Sequence, residues 1–305
     1  MNQKTVTVPG SISNLGPGFD CLGIAFTGKG DRVTARRTST PGVHVVAVSD
    51  PRIPSEPSRN TAAIAAAAVL RRSGRPDGID LEIDKGLPLS GGMGGSAASA
   101  VGGAVAADAL LGTRLSRAEL LEAALEAEAV VAGRHADNVA PSLYGGAVLV
   151  LSLDPPRIVP LRVHDSIALA LVTPDYQVET ARARAVLPES LPRATAVAQA
   201  SHLAVLVLAL EHGDADLIRA AAVDRIAEPA RHPLYPGYDE ARAAALEAGA
   251  LAVTVSGAGP TLVAVTLRGV AEAVGRAFEE GYRRLGIKAT SHTARVDAAG
   301  ARVLD

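Results

Sequence analysis

The sequence predicts an α+β fold built as two closely packed domains, residues 1–163 and 164–305. A chain of 305 residues is about twice as long as an ordinary domain. Its strand-like and helical segments do not alternate regularly, which favours antiparallel sheets over a doubly wound parallel sheet. The local pattern changes around 155–164 without a flexible linker, and we therefore place the domain boundary there.

The composition is that of a soluble protein with an aliphatic core. Hydrophobic residues make up 48% of the chain, with three phenylalanines and no tryptophan, so valine, leucine, isoleucine and alanine must fill the core. A formal net charge of −2 argues against a nucleic-acid partner. The N-terminus lacks an apolar signal segment, and the apolar stretch 203–210 is far shorter than the ~20 residues that cross a membrane. We therefore expect a cytoplasmic protein without a membrane partner.

Cysteine and histidine usage excludes several kinds of site. Cys21 is the single cysteine, so neither a disulfide within the chain nor a thiolate metal cluster can form. The seven histidines show no metal-ligand spacing, which makes a histidine-built metal site an unfavoured interpretation.

Strands and helices are mixed in the first half of the chain. A Pro/Ser-rich loop covers 50–58, and Ser116 with Glu119 forms a capping box that opens a helix ending near Val131. Residues 133–146 are polar and contain several glycines, which predicts a loop. The other predicted elements are strands at 5–8, 32–35, 43–48, 79–83 and 147–151 and helices at 62–70 and 97–110.

The second half begins with a near-continuous apolar run at 167–172, which is typical of a buried strand. Helical and strand patterns then follow in turn. The predicted elements are helices at about 195–212, 214–223, 237–247 and 270–284 and strands at 251–255, 262–265, 288–296 and 301–304.

A glycine-rich turn at 88–96 joins a predicted strand to a predicted helix. Its glycines leave the backbone N–H groups bare, and the helix that follows adds partial positive charge at its N-terminus, where Ser96 is placed to cap it. This arrangement predicts a phosphate site. The turn lacks the Gly-Lys-Ser/Thr ending of a P-loop, and Asp108 follows too soon for a dinucleotide-binding turn.

Two further small-residue motifs accompany this loop. One is SISNLGPGFD at 11–20, and the other is VSGAGPT at 255–261. Together with PLSGGMGGSA at 88–97, they occur in the order found in the GHMP kinases, and the chain resembles that family over essentially its full length. The segments ADNVAPSLYGG at 136–146, TARARAVLP at 180–188 and EPARHPLYPGY at 228–238 are similar to those of the homoserine kinases within it.

The resemblance implies a fold, a reaction and a pair of substrates. The expected fold has a ribosomal-protein-S5-like N-terminal domain and a ferredoxin-like C-terminal domain, with the active site in the cleft between them. The expected donor is ATP with Mg²⁺, and the expected acceptor is the hydroxyl of L-homoserine. Relatives are often dimers, so a homodimer is also an expectation.

The donor side is assigned by matching positions. Glu128 and Ser96 match the Mg²⁺ ligands of relatives, with Glu126 as the alternative because the spacing before Asp137 is one residue short. Gly95 stands where the family usually has a serine. ATP contacts are expected from Asn60, which matches a position that meets the adenine base in relatives, and from Lys85, a positive charge just before the loop. The loop itself contributes Pro88, Leu89, Ser90, Gly91, Gly92, Met93, Gly94, Gly95 and Ser96.

The acceptor side is assigned in the same way. Asn14, Asp20 and Asp137 match positions that meet the ammonium group. Arg184 and Arg231 match positions that meet the carboxylate, where a guanidinium binds with two hydrogen bonds. Close to them, Gly257 allows the backbone to approach the amino acid, and Asn138 orients the reacting hydroxyl or the phosphoryl group. Asp137 and Asn138 are therefore the catalytic candidates, and with Asp137 bound to the ammonium no dedicated base is expected.

Other interpretations of these residues stay open at this point. A kinase for a mevalonate-like alcohol would keep the phosphate loop but leave the two arginines and two aspartates poorly used. A nucleotide-binding regulator without catalysis would keep all three motifs. An amidase needs a serine at Met93 or Gly95 and a longer chain. Asn60 and Asn14 also fit a helix cap and a turn residue.

Overall fold

A computed structural model of the protein describes residues 2–131 and 133–304. The strands of this described part are β1 Gln3–Asn14, β2 Gly18–Thr38, β3 Gly42–Val48, β4 Gly78–Asp84, β5 Ala147–Leu153, β6 Pro156–Leu161, β7 Ile167–Pro174, β8 Ala252–Val255, β9 Leu262–Leu267, β10 Ala289–Ala294 and β11 Arg302–Leu304.

Ten α-helices lie within the same described residues. They are α1 Thr61–Ser73, α2 Gly95–Leu111, α3 Arg117–Val131, α4 Ala136–Tyr144, α5 Thr180–Ala185, α6 Arg193–His212, α7 Ala215–Ala221, α8 Ala227–Arg231, α9 Tyr238–Glu247 and α10 Ala271–Arg283.

The strands form two separate sheets. A seven-stranded sheet has the order β11-β1-β2-β4-β3, with β5 paired to the first half of β2 and β6 paired to β5. A four-stranded sheet has the order β10-β7-β9-β8. Every strand pair is antiparallel except β3 with β4. The predicted two-domain α+β arrangement is thus confirmed.

The chain passes from one sheet to the other between Leu161 and Ile167. The last strand, β11, returns to pair with β1 in the seven-stranded sheet, although the sequence grouped 164–305 as one unit. The domain boundary at 163/164 itself stays a prediction.

Small residues let the helices of the first domain pack closely. A Cβ on Gly103 of α2 would lie 2.0 Å from the carbonyl oxygen of Ala62 on α1. Alanines fill the rest of this contact, and α1 and α2 bury most of their side chains. The predicted aliphatic core is present, joined by the buried rings of Phe26, Phe278 and Tyr282.

The predicted loop at 133–146 is wrong, because residues 136–144 form α4. The helix contains Pro141, and proline has no N–H to donate to the carbonyl four residues earlier. That carbonyl belongs to Asp137, and it packs against Gly23 of β2, where a Cβ would approach the oxygen to 1.7 Å. The glycine therefore makes room for a helix that the proline would otherwise disfavour.

The helix α6 is exposed along most of its length. Its apolar window has a mean hydropathy of 1.5 and is 22% buried, and by length and composition alone this helix passes the test for a membrane span. The uninterrupted apolar run 203–210, on which the prediction rested, covers less than half of this helix. Such a helix on its own is weak evidence for a membrane, since soluble proteins contain similar ones.

Candidate active site

A cavity of about 580 Å³ is lined by residues of both domains. It is lined by residues from all three sequence motifs. Of the residues singled out from the sequence, the lining includes Asn14, Asp20, Asn60, Lys85, Pro88, Leu89, Ser90, Gly91, Gly92, Gly94, Gly95, Ser96, Glu128, Asp137, Asn138, Arg184, Arg231 and Gly257. Met93 is not among them, because its side chain points into the hydrophobic core and is 1% exposed.

The glycine-rich loop is held by the two other motifs. Ser11 N–H donates to the Met93 carbonyl at 3.1 Å, and Ser256 Oγ donates to the Gly92 carbonyl at 2.5 Å. Thr261 N–H donates to the Gly91 carbonyl at 3.3 Å. The carbonyls of the loop thus face the surrounding protein.

At two positions of the loop, glycine is required both by a left-handed backbone conformation and by the lack of room for a Cβ. Gly92 has φ +76°, and a Cβ there would lie 2.4 Å from the Ser256 carbonyl oxygen. Gly94 has φ +68°, and a Cβ there would lie 2.1 Å from Ser11 Oγ. Residues other than glycine rarely adopt such positive φ values. At Gly95, by contrast, a Cβ would meet its nearest atoms at 3.4 Å, an ordinary contact distance.

The helix α2 begins at the end of this loop. Its N-cap is Gly94, which has no side chain to bond the first-turn N–H groups, so Ser96 is not the cap that the sequence indicated. Free N–H groups and the helix dipole make this end attractive to an anion.

Lys85 connects the end of the loop to the surrounding protein. Its ammonium group donates to the Gly95 carbonyl at 2.7 Å and to Ser99 Oγ at 3.0 Å, and it forms an ion pair with Asp31. These three bonds use all three donors of a lysine. Burial raises the pKa of Asp31, while the positive charge of Lys85 lowers it. The sequence assigned Lys85 to ATP, whereas its bonds in the structure go to the protein.

A buried carboxylate lies beside the start of α2. Ser96 Oγ donates to Glu128 Oε1 at 2.9 Å, and Glu128 Oε2 is buried with no hydrogen-bond partner among the described residues. Burial raises the pKa of Glu128 to about 7. The alternative ligand, Glu126, instead accepts bonds from Arg71 and Arg72 outside the cavity.

This corner fits a hard divalent cation. A buried carboxylate oxygen and a serine hydroxyl oxygen are ligands of the kind that Mg²⁺ prefers, and Mg²⁺ commonly takes its remaining ligands from water and phosphate. A metal site built from three or more His, Cys, Asp or Glu side chains is not found within residues 2–131 and 133–304.

Asp137 is the second buried carboxylate of the cavity. It is 3% exposed, and its Oδ1 has no hydrogen-bond partner in the described part of the chain. Burial, together with the negative charge of Asp20, raises its pKa to about 6. A cationic group in the cavity would compensate both effects.

The neighbouring Asn138 is fixed in orientation by two serines of the first motif. Its Nδ2 donates to Ser13 Oγ at 2.9 Å, and its Oδ1 accepts from Ser11 Oγ at 3.0 Å. Neither serine was among the residues predicted for the site, although their alternation along β1 indicates that they share one face of the strand.

Two arginines close the opposite side. Arg231 is 3% exposed and donates to the carbonyls of Ala183, at 2.8 Å, and Gly257, at 3.0 Å. Arg184 donates to both carboxylate oxygens of Asp20, at 2.8 and 3.1 Å. Both guanidinium groups lie over the ring of Phe19, at 5.2 Å for Arg231 and 5.9 Å for Arg184.

Asn14 and Asn60 have structural roles in addition to lining the cavity. Asn14 Nδ2 donates to the Gly257 carbonyl at 2.9 Å, and its Oδ1 accepts the Asp20 N–H at 3.1 Å. Asn60 caps α1 by accepting the Ala63 N–H at 3.1 Å, and it donates to the Pro54 carbonyl at 2.8 Å. Both side chains are therefore held in one orientation.

Comparison with known proteins identifies the family of this chain. The family descriptions "GHMP kinases N terminal domain" and "GHMP kinases C terminal" match residues 60–146 and 206–284. A homoserine kinase of Xylella fastidiosa strain M12 is 41% identical over 99% of this chain and 94% of its own length. The chain belongs to the GHMP kinase family, in its homoserine kinase branch.

Other relatives agree with this assignment. The homoserine kinase of Arabidopsis thaliana is 40% identical over 97% of this chain and 83% of its own length. The crystal structure of homoserine kinase from Cytophaga hutchinsonii superposes with a TM-score of 0.96 at 37% identity, covering 100% of this chain and 98% of that one. The predicted GHMP kinase fold is therefore confirmed, and ATP use follows from membership of this kinase family.

Proposed function

We propose that this protein transfers the γ-phosphoryl group of ATP to the hydroxyl of L-homoserine, giving O-phospho-L-homoserine for threonine biosynthesis. The observation that carries this proposal is that a buried carboxylate, Asp137, and a buried guanidinium, Arg231, line the same cavity as the phosphate loop. An amino acid brings an ammonium and a carboxylate to such a pair. The names of the relatives support the choice of homoserine as that amino acid.

The donor side of the cavity binds ATP through backbone groups. The loop 91–96 and the first turn of α2 offer N–H groups and partial positive charge to the phosphates. The base end of the nucleotide is assigned to Ile53, Pro54 and Asn60, which line the same cavity as the phosphate loop.

Mg²⁺ is assigned to Glu128 and Ser96, whose oxygens fit it as described above. When bound, the ion neutralises phosphate charge during transfer. The ionised form of Glu128, which burial disfavours, is the form stabilised by a divalent cation.

The acceptor is assigned to the other side by its two charges. Its ammonium pairs with Asp137 and Asp20 and with the carbonyl-rich surroundings of Asn14. Its carboxylate pairs with Arg231 and Arg184, where Ala183 and Gly257 fix the guanidinium of Arg231 by holding two of its nitrogen atoms. The hydroxyl end then extends toward Asn138 and the phosphate loop.

Transfer proceeds without a dedicated base in this proposal. The hydroxyl oxygen forms a bond to the γ-phosphorus, the bond from that phosphorus to the β-γ bridging oxygen breaks, and ADP leaves. The hydroxyl proton passes late to a phosphoryl oxygen, since phosphoryl transfer has a loose transition state and depends mainly on positioning and charge stabilisation. Asp137 stays paired with the ammonium.

The test is an acceptor panel with product identification. ADP release is measured with ATP, Mg²⁺ and L-homoserine, mevalonate, L-threonine, L-serine or no acceptor, and the product is identified by mass. We expect turnover with L-homoserine that requires Mg²⁺ and yields its O-phosphate. Turnover with mevalonate alone, or no turnover with homoserine while ATP binds, would contradict the proposal. The homodimer and the cytoplasmic location stay predictions, the former open to measurement of molecular mass in solution.

A further inference from the structure

One polar side chain is buried in the otherwise exposed first half of α6. Gln199 is 7% exposed, while the buried apolar residues of this helix lie in its second half, at Leu206, Ala209 and Leu210. Burying an amide is unfavourable unless its donors and acceptor are bonded. The position of Gln199 therefore calls for partners.

Gln199 bonds to two segments that are distant in sequence. Its Nε2 donates to the Pro17 carbonyl at 3.0 Å and to Asp224 Oδ1 at 3.2 Å. Its Oε1 accepts the Arg225 N–H at 2.8 Å. Both amide protons and the carbonyl oxygen are thus used.

The first of these segments carries the ammonium side of the cleft. Pro17 lies in the turn between β1 and β2, three residues after Asn14 and three before Asp20. This turn also packs against the second domain, since a Cβ on Gly16 would lie 3.1 Å from the backbone carbonyl carbon of Ala222.

The second segment carries the carboxylate side. Asp224 accepts the N–H groups of Ile226, Ala227 and Glu228 at 2.7 to 3.1 Å, and so fixes the start of α8. Arg231 is the last residue of α8.

The two segments meet again inside the cavity. The Gly257 carbonyl accepts bonds from both Asn14 Nδ2 and Arg231 Nη1, at 2.9 and 3.0 Å. The same two segments are therefore linked twice, by Gln199 away from the cavity and by the Gly257 carbonyl at the cavity. These two links connect the ammonium side of the acceptor site to its carboxylate side.

The geometry points to Gln199 as a positioning residue that sets the spacing between the ammonium side and the carboxylate side of the acceptor site. This inference rests on the proposed function. Gln199 does not line the cavity, and it acts through Pro17 and Asp224.

The test compares Gln199→Leu with Gln199→Asn, which keeps the amide on a shorter stem. Both variants are expected to raise the KM for homoserine about tenfold or more and to leave the KM for ATP within about twofold, because a displacement of the acceptor groups does not reach the phosphate loop. Ser201→Ala is the matched control, since Ser201 bonds to the Val197 carbonyl of its own helix. The control is expected to keep both KM values.

The outcomes separate this inference from the proposed function. An unmodified protein inactive toward homoserine would contradict the proposed function. An active protein whose Gln199 variants keep their homoserine KM, or raise both KM values in parallel, would overturn the positioning role alone. Failure of both variants to fold, judged by thermal unfolding, would assign Gln199 to stability and also overturn it.

Discussion

The guanidinium of Arg184 and the carboxylate of Asp20 form a two-point ion pair across the cleft, with N–O distances of 2.8 and 3.1 Å. Asp20 lies on β2 in the first domain, and Arg184 lies on α5 in the second domain. Both belong to the acceptor side of the proposed reaction. A zwitterionic acceptor offers each of them a new partner of opposite charge, whereas an acceptor with a single charge leaves one of them without compensation.

Arg231→Ala tests the carboxylate side. Arg231 is buried and held by two backbone carbonyls, and removal of a charged hydrogen-bonding group from such a site costs on the order of 2–4 kcal/mol. We expect the KM for homoserine to rise about 30-fold or more, and the KM for ATP to change less than about threefold. The control is Arg182→Ala, an exposed arginine on α5. Equal small effects on both substrates would remove Arg231 from the acceptor site.

Gly94→Ala and Gly95→Ala form a matched pair in the phosphate loop. At Gly94 the added Cβ meets Ser11 Oγ at 2.1 Å in a left-handed backbone, whereas at Gly95 it meets its neighbours at 3.4 Å. We expect Gly94→Ala to lower kcat/KM for ATP about 100-fold through strain on the order of 1–3 kcal/mol. Gly95→Ala is expected to keep activity and to gain a few tenths of a kcal/mol in unfolding free energy. Comparable losses in the two variants would contradict this assignment.

Asp137→Asn tests the pH dependence that burial imposes. The folded pKa of about 6 lies above the ordinary value, so the contribution of Asp137 to stability is full at low pH and is lost as pH rises through about 6. At pH 8, without substrate, the free energy of unfolding of the Asn variant is therefore expected to exceed that of the unmodified protein by on the order of 1–2 kcal/mol. At pH 4 this advantage should vanish.

The same variant should impair the reaction. Loss of the carboxylate raises the KM for homoserine, and in the unmodified protein kcat/KM should fall as pH drops below about 6, where protonation removes the partner of the ammonium. Denaturant unfolding at both pH values, with exposed Asp165→Asn as the control, measures the stability change. A variant less stable than the unmodified protein at pH 8 would show that the ionised carboxylate stabilises the empty fold.

Lys85→Met tests the support behind the phosphate loop. Removing Lys85 leaves Asp31, whose side chain is 0% exposed, as an uncompensated buried carboxylate, a change that costs about 3–5 kcal/mol. Adding Asp31→Asn should recover part of that loss, because the unpaired charge is then gone. Denaturant unfolding of the two single variants and the double variant gives the coupling. Additive effects would contradict the ion pair as the main role of Lys85.

The strand, the glycine-rich turn at 88–96 and the helix after it were predicted correctly because their determinants are local. A strand, a run of glycines and an alanine-rich helix follow one another within about 30 residues, and each fixes its own backbone. The capping box of Ser116 and Glu119 formed as expected, with the Ser116 N–H 2.8 Å from Glu119 Oε2. The cap proposed at Ser96 did not form, since the helix begins at Gly95, two residues earlier than predicted, and the Ser96 hydroxyl bonds to Glu128.

The connections between motifs could not be read from the sequence. Asp31 lies 54 residues before Lys85, and Asp20 lies 164 residues before Arg184. No local periodicity indicates such pairs, so Lys85 was assigned to the nucleotide and Asp31 was passed over. The helix α4 was missed because the polar residues and glycines of 133–146 favour a loop locally, whereas the close approach of its Asp137 carbonyl to Gly23 of β2 joins residues that are distant in sequence.

The most direct test of this account compares L-homoserine with two analogues that each lack one charged end. These are 3-aminopropan-1-ol, without the carboxylate, and 4-hydroxybutanoate, without the ammonium. A site in which Asp137 binds the ammonium and Arg231 binds the carboxylate should reject both, with kcat/KM lower than for homoserine by about 100-fold or more in each case. If either analogue were phosphorylated within about threefold of the rate for homoserine, that end of the acceptor would not be read, and the account of the cleft would be wrong.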